Sequence, residues 1–293
     1  MRGYCGLSEM PQKISFIARP KEDFEIPSSE GYQLYSSILE VMREGDEAIS
    51  EHAHDSPLSS IVVSPLWGRF GKCDRPHHKV VLSGERYELN VGITDPKEVE
   101  IFKSIISPLI FKEKDIILHK GDLVIEEVKS TSIGFQELID SAKGIDDPEV
   151  EFWFKSPTCI QYKNSKVSEM FPHREAVFNS LVAKWNSVSP DGLKMGIERD
   201  EIARHVVERP DPRTYRTHSV VVNTVIDNVK GHPRPIFKQG FSGRCGYSFA
   251  KGAPEDVKNA VLILSRFAEY SGVGSAVSRG CGAVEVEVGE VRK

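Results

Sequence analysis

The sequence predicts an α+β protein built from two successive units, each with helices on a mainly antiparallel sheet. In both halves of the chain, segments of alternating apolar residues and segments with apolar residues at helical spacing follow the same order: strand, helix, strands, helix and a final strand or strands. The chain has 293 residues, of which 39% are hydrophobic and 28% charged, which is enough for two globular domains of ordinary size. The repeat is one of architecture, because no sequence motif recurs.

The first unit begins with a predicted strand at 14–20. A helix follows, in which apolar residues recur at i, i+3, i+4 and i+7 from Tyr32 to Met42, and Gly45 ends it. A second, short helix is expected at 46–52, before two histidines. Further strands are predicted at 60–65, 79–82, 87–93, 115–118 and 123–128, with a helix at 95–106. This order is the ferredoxin-like pattern.

The second unit begins with a predicted strand at 150–157 and a helix that starts at Pro172 and ends near Trp185. A short helix is expected at 199–207. Strands are predicted at 219–226, 235–238, 245–249 and 283–288, with a turn at 227–231 and a helix from Pro254. The polar stretch 130–147 has no clear period, so the predicted division is a leader at 1–13, a first domain at 14–135 and a second at 148–293.

Composition excludes several classes of protein. The five cysteines are scattered without a CxxC pair or zinc-like spacing, which predicts no disulfide framework or structural metal and fits a reducing cytoplasm. No apolar run reaches 18 residues and the N-terminus does not read as a signal peptide, so neither a membrane span nor secretion is expected. The sequence contains no GxSxG elbow and no GxxxxGK[ST] phosphate loop, so it gives no support for a nucleotide cofactor.

A glycine-rich stretch at 271–282 follows a predicted helix and precedes a strand. This order is the reverse of that in a dinucleotide-binding fold. Its four glycines, Gly272, Gly274, Gly280 and Gly282, surround a polar turn that carries Arg279. Exposed backbone N–H groups in such a turn would suit a phosphate. The alternative is a helix C-cap followed by a tight loop, which explains Gly272 but not the other three.

Basic residues are concentrated at 204–244, although the formal charge of the whole chain is −5. Eight Lys or Arg residues there face three acidic ones, a local balance of 8 − 3 = +5, and four aromatic residues are interleaved. This mixture is typical of surfaces that bind RNA phosphates and stack bases, and the alternative is an ordinary solvated hairpin. The basic residues are Arg204, Arg209, Arg213, Arg216, Lys230, Arg234, Lys238 and Arg244.

Two histidines, His52 and His54, follow the first helical region. Histidine is the side chain best suited to move a proton near neutral pH, and the neighbouring Asp55 could stabilise the imidazolium of His54. The alternative is a solvated polar loop with incidental histidines.

The glycine-rich stretch, with the helix before it and the strand 283–286 after it, resembles the C-terminal signature of RAMP-superfamily proteins. Within that superfamily the sequence is similar to the sixth family of CRISPR-associated (Cas) proteins, the endoribonucleases that cut repeat RNA into guide RNAs. The segment 154–158 resembles the strand that opens the second domain of that family, and Trp185-Asn186 resembles the end of its next helix. His54 falls where the family commonly carries its catalytic histidine.

The resemblance implies two tandem ferredoxin-like domains and RNA cleavage without metal or other cofactor. An RNA 2′-hydroxyl would attack the adjacent phosphorus, which leaves a 2′,3′-cyclic phosphate and a 5′-hydroxyl. His54 would be the general base or acid, with His52 as the second candidate. Some members carry a Tyr on the first helix; here Leu39 occupies that position and Tyr35 lies one turn earlier.

The resemblance also implies RNA contacts by the loop and by the basic segment. The expected partner is CRISPR repeat RNA, and the sequence leaves open a homodimer or association with subunits of a CRISPR interference complex. A noncatalytic RNA-binding subunit of such a complex is the alternative function. The expected RNA-binding residues are Gly272, Gly274, Ser275, Ser278, Arg279, Gly280, Gly282, Arg213, Arg216, Lys230, Arg234, Lys238 and Arg244.

Overall fold

The computed structural model describes residues 10–56, 61–145, 147–162, 165–226 and 231–290. Two five-stranded antiparallel sheets each support a separate hydrophobic core. The helices are α1 (Gly31–Gly45), α2 (Glu47–Asp55), α3 (Glu98–Ile106), α4 (Phe135–Ser141), α5 (Arg174–Val188), α6 (Arg199–His205) and α7 (Glu255–Ser271). The strands are β1 (Gln12–Pro20), β2 (Phe24–Pro27), β3 (Ile61–Val63), β4 (Phe70–Gly71), β5 (His78–Val81), β6 (Tyr87–Ile93), β7 (Ile116–Leu118), β8 (Gly121–Ser132), β9 (Pro148–Thr158), β10 (Ile160–Gln161), β11 (Ser168–Glu169), β12 (Val206–Pro210), β13 (Arg216–Ile226), β14 (Pro233–Phe249) and β15 (Val284–Glu290).

The first sheet has the strand order β3-β6-β1-β8-β7. Alternate residues of β1 point into the core, and α1 buries one face on the sheet because its apolar residues recur at helical spacing. Asp46 is the N-cap of helix α2, and its carboxylate accepts from the N–H of Ile49. The Ser50 hydroxyl in α2 donates to the carbonyl of Leu39, so α2 is attached to α1.

The second sheet has the order β12-β14-β9-β15. Its fifth strand, β13, also pairs with β14. Its core is rich in aromatic rings, and Trp185 of α5 packs edge-on against Phe267 of α7. Strands β13 and β14 extend beyond the sheet as a long hairpin. The mixed α+β class predicted from the sequence is confirmed.

Three sequence predictions need correction. The stretch 130–147 is not featureless, because α4 forms there and buries Phe135 in the second core. Helix α2 continues through both histidines to Asp55 rather than ending at 52. The runs 235–238 and 245–249 belong to one strand, β14, because Gly240 lets it pass within contact of β9. The predicted turn at 227–231 lies largely outside the described residues.

The glycine-rich stretch connects the two halves of the molecule. Helix α7 ends at Gly272, whose φ is +60°, and the chain then passes against the first sheet. The N–H of Gly280 donates to the carbonyl of Val63 in β3 at 3.1 Å. No helix among the described residues is long and apolar enough to cross a membrane.

Candidate active site

His52 is held by a buried carboxylate. Its Nε2 lies 2.9 Å from Asp95 Oδ1 and 3.1 Å from Oδ2. The Asp95 side chain is only 8% exposed and precedes α3, where its Oδ1 also accepts from the N–H of Lys97. His52 therefore ties the end of α2 to the start of α3, which is a structural role.

His54, two residues later in the same turn, points to solvent with 61% of its side chain exposed. Its Nδ1 lies 2.9 Å from Oδ1 of Asp55. If Nδ1 carries the hydrogen and donates it to this carboxylate, Nε2 is the proton acceptor. The pair is strongly exposed, so its energy is small and its effect is mainly to orient the ring.

Tyr35 lies in α1, the helix before α2, and is 5% exposed. Burial raises the pKa of its hydroxyl; the guanidinium of Arg279 lowers it, and Asp55 and Tyr32 raise it. The net direction is upward, so Tyr35 is a neutral hydrogen-bond donor near pH 7. Arg279 and Asp55 thus both act electrostatically on the Tyr35 hydroxyl.

Arg279 reaches this place from the far end of the chain. It closes a short 3₁₀ turn, Val277–Arg279, and its carbonyl is pressed against α1, where a Cβ on Gly31 would lie 2.2 Å from that oxygen. Its guanidinium lies 5.8 Å from the centre of the Tyr32 ring. Arg279 thus brings a cation to Tyr32 and Tyr35 of α1. Asp55, whose carboxylate lies beside the exposed imidazole of His54, also acts on Tyr35.

The sequence predicts an RNA-binding role for Arg279, but no pattern in it indicates that Arg279 acts on Tyr35. The nearest cations after His54 in the sequence are Arg69 and Lys72, but Arg69 lies near Glu85 at 3.6 Å. No local motif could reveal the neighbour, because more than two hundred residues separate Arg279 from His54. The tight glycine contacts between the loop and α1 bring Arg279 to this helix.

The glycines of the loop are packed against protein backbone. A Cβ on Gly282 would lie 2.1 Å from the carbonyl oxygen of Val273, and one on Gly274 would lie 2.6 Å from that of Cys159. Gly272 and Gly280 also have positive φ angles, of +60° and +83°. Close packing and left-handed backbone account for all four glycines, beyond the helix C-cap that explains Gly272.

Other contacts fix the loop from the second sheet. The N–H of Ser275 donates to the carbonyl of Cys159 at 2.8 Å, and the Lys238 ammonium donates to the Ser275 hydroxyl at 2.7 Å. Ser278 is 7% exposed. Lys238 is therefore the member of the basic segment that the structure joins directly to the loop.

The remaining basic residues spread along the hairpin. Arg213 and Arg216 are exposed at the base of β13, and the Arg216 guanidinium donates to nearby backbone carbonyls. Arg234 of β14 pairs with Val225 of β13. Val225 is nine residues beyond Arg216 in the same strand, so Arg234 lies about 30 Å from Arg216. Arg244 forms an ion pair with Glu151 and lies over Trp153. Lys230 lies outside the described residues.

An open cleft of 760 Å³ separates the two halves beside the loop. Its lining includes Lys79 of β5, Lys155 of β9 and Arg279, together with the exposed ring of Phe237. The one carboxylate in the lining, Glu30, is buried and paired with Lys79 at 3.0 Å. Among the described residues, no three His, Cys, Asp or Glu side chains group closely enough to hold a metal ion.

Residues 152–284 match the family model described as CRISPR-associated endoribonuclease Cas6. The matched residues form most of the second half of this chain. The resemblance drawn from the glycine-rich stretch and its flanking segments is therefore confirmed. Among curated proteins, none matches the chain in sequence.

Solved Cas6 structures have the same overall fold as this chain. A Cas6 product complex is 16% identical with a TM-score of 0.69, covering 96% of this chain and 100% of that one. A Cas6-related protein from Pyrococcus furiosus is 14% identical with a TM-score of 0.62, covering 94% and 98%. A RAMP protein that binds different RNA substrates is 14% identical with a TM-score of 0.60, covering 94% and 99%. At these identities the likeness establishes the fold.

Proposed function

We propose that this protein is an endoribonuclease that cuts CRISPR repeat RNA to release guide RNAs. The match of its second half to the Cas6 family model supports this function, and the electrostatic action of Arg279 and of Asp55, the neighbour of His54, on the Tyr35 hydroxyl carries it. We also propose that the two sheet-and-helix units are tandem ferredoxin-like domains, since each has its own antiparallel sheet and core.

The proposed reaction is a transesterification within RNA. The 2′-oxygen forms a bond to the adjacent phosphorus and the bond to the 5′-oxygen of the next nucleotide breaks. The 2′-hydroxyl proton goes to a base, and the leaving 5′-oxygen receives a proton from an acid. The products are a 2′,3′-cyclic phosphate and a 5′-hydroxyl, with no change in oxidation state.

His54 is the proposed general base. Its exposed Nε2 can approach a 2′-hydroxyl, while Nδ1 is oriented by Asp55. Proton transfer by a positioned histidine typically contributes about 10²–10⁴-fold to a rate. His52 is less suited, because its Nε2 is already engaged by Asp95.

Arg279 is the proposed stabiliser of the phosphorane. Negative charge on the non-bridging oxygens grows in the transition state, and a fixed guanidinium beside them favours that state over the ground state. Tyr35 remains protonated because it is buried, so its hydroxyl can donate a hydrogen bond to the same oxygens or to the leaving group.

The proposed RNA-binding surface extends from the glycine loop to the hairpin. Lys238 reaches Ser275 of the loop, Arg213 is exposed just before β13, and Arg216 of β13 and Arg234 of β14 are also exposed. Positive groups spaced in this way suit successive RNA phosphates. Arg244 and Ser278 would contribute less, because Arg244 is paired with Glu151 and Ser278 is buried.

Incubation with repeat RNA from the same locus, with EDTA present, tests this function. We expect one cut, a cyclic phosphate on the upstream product and a 5′-hydroxyl on the downstream one. An RNA with a single 2′-deoxy nucleotide at the cut should bind normally and remain whole. Tight binding of unmodified RNA without cleavage would favour a noncatalytic RNA-binding subunit, the function suggested by the likeness to the RNA-binding RAMP protein.

A further inference from the structure

A second pocket lies at the other end of the glycine loop from Arg279. It has a volume of 310 Å³ and is bounded by Gly274 and Ser275 of the loop, the outer face of α5, strand β10 and the start of α6. Its size is at the lower limit for small-molecule sites, which suits a single nucleobase better than a larger cofactor. The candidate active site does not use this pocket.

Lys184 of α5 forms the buried part of the pocket wall. It is 7% exposed, and its ammonium donates to the carbonyls of Ser271 at 2.7 Å and Gly272 at 3.1 Å. Burial lowers the pKa of this amine to about 7. When it carries its third proton, that N–H has no hydrogen-bond partner among the described residues. A buried donor of this kind favours a ligand that brings an acceptor oxygen.

The pocket mouth carries groups that suit a base attached to a phosphate backbone. The Tyr162 ring is 46% exposed and offers a stacking surface. Gln161 and Asn179 supply amide groups, and Arg199 supplies a cation at the rim. Aromatic stacking, amide donors and acceptors, and a nearby cation together form a typical environment for a nucleotide of single-stranded RNA.

We propose that this pocket takes one base of the bound RNA, next to the segment that crosses the glycine loop, and that Lys184 recognises its exocyclic carbonyl oxygen. The inference rests on the proposed RNA-processing function and adds the kind of base recognised. Guanine, cytosine and uracil carry such an oxygen, whereas adenine does not. A base in the pocket and the cleaved phosphate beside Arg279 would lie at opposite ends of one loop, so base recognition would set the position of the cut.

Binding measurements with abasic RNAs test this proposal directly. Repeat RNAs with one abasic nucleotide at each position are titrated against wild-type protein and against Tyr162→Ala. At one position the abasic change should weaken binding to wild type about tenfold, the effect expected for one lost stacking interaction. The substitution Tyr162→Ala should weaken binding of intact RNA to a similar extent. The variant protein should bind the RNA that is abasic at this position as tightly as it binds intact RNA.

Phe111→Ala is the matched control, because Phe111 is 79% exposed, lies in the helical turn after α3 and does not line this pocket. It should keep the wild-type abasic profile. If the losses of binding free energy caused by Tyr162→Ala and by the abasic nucleotide add at every RNA position, the proposal is wrong. Because binding is measured, this result is distinct from failure of RNA cleavage.

Base identity and pH give a second readout. At the same RNA position, adenine should bind several-fold more weakly than guanine, cytosine or uracil, and Lys184→Met should remove that difference.

A carbonyl acceptor would raise the pKa of Lys184, so wild-type affinity for a favoured base should fall from pH 6 to 8 relative to the abasic RNA. An unchanged base preference in a folded Lys184→Met variant would contradict the assignment. The other titratable residues that line the pocket are Cys159, Tyr162, Glu169, His173, Glu175 and Arg199.

Discussion

The glycine loop and the last turn of α2 supply the groups of the proposed site but are held in opposite ways. Gly280 and Gly282 are buried and joined to neighbouring backbone by hydrogen bonds, so the backbone that carries Arg279 is fixed in position. His54 stands 61% exposed on a helix end. The difference separates two tasks: the charge stabiliser needs a fixed position before substrate arrives, whereas the base must be accessible to the RNA.

The same contrast appears within α2 itself. His52 and His54 are two residues apart in one helical turn, yet one faces buried Asp95 and the other faces solvent. Helical geometry turns residues at i and i+2 to different sides, so one histidine stabilises the fold while the other remains available to substrate. Substitutions can therefore separate stability from catalysis.

The largest effect is expected from Gly282→Ala. A Cβ would lie 2.1 Å from the Val273 carbonyl oxygen, and φ is +68°, so both collision and backbone strain oppose the change. We expect a loss of at least about 3 kcal/mol in the free energy of unfolding, measured by denaturant titration, with cleavage and RNA affinity lost together.

Gly252→Ala is the matched control, because Gly252 has φ of +81° and a Cβ added there would meet no heavy atom within 4 Å. It should cost only about 1–2 kcal/mol, the strain of a left-handed residue. Equal losses for the two variants would show that the loop does not depend on close packing.

His52→Ala should destabilise the protein without direct effect on the chemical step. It removes the hydrogen bond between His52 and the buried carboxylate of Asp95, and a hydrogen bond to a charged group contributes about 1.5–3 kcal/mol. Thermal unfolding of this variant and of His54→Ala measures the difference, since the hydrogen bond of His54 is to exposed Asp55. A larger loss of stability in His54→Ala would reverse the assigned roles.

Lys184 should make stability depend on pH. Its pKa is about 7 in the folded protein, against an ordinary value of 10.5 for a solvated lysine, so between these values the unfolded chain binds more protons. Stability contributed by this group therefore rises with pH from about 7 to 10.5 and is lost as pH falls through 7. Unfolding free energies at pH 7 and 9 should show a rise of about 2 kcal/mol in wild type relative to Lys184→Met. An identical rise in both proteins would rule out this source.

Tyr35→Phe should have the smallest effect. It removes one neutral donor whose hydrogen bond is worth about 1 kcal/mol, so the single-turnover rate should fall about five- to tenfold with binding unchanged. The pH–rate profile should keep its shape, because the pKa of Tyr35 is raised by burial and the phenol does not titrate near pH 7. A profile that changes on this substitution would make Tyr35 a base rather than a donor.

Periodicity was sufficient to predict α1, α7 and most strands of both sheets, because their apolar residues alternate or recur every three to four positions. It missed α4, where Phe135 and Leu138 are buried by the second core although the surrounding stretch is polar. It also divided β14, since glycines interrupt the apolar pattern where close packing requires them.

The candidate site was only half predictable from sequence. His54 and the glycine loop stand out through residue type and resemblance to a family. The electrostatic effect of Arg279 on Tyr35 and the hydrogen bond between His52 and Asp95 depend on tertiary contacts between segments far apart in sequence. Such contacts leave no local pattern, so the cation and the structural histidine became apparent only from the fold.

Single-turnover cleavage of repeat RNA by His54→Ala, in EDTA and with RNA affinity measured in parallel, tests the central claim most directly. The loss of a positioned base predicts a rate about 10²–10⁴-fold below wild type with affinity within a few-fold of wild type. His52→Ala, assayed well below its unfolding temperature, should cleave at close to the wild-type rate. Full cleavage by His54→Ala, or a selective loss in His52→Ala, would contradict the assignment.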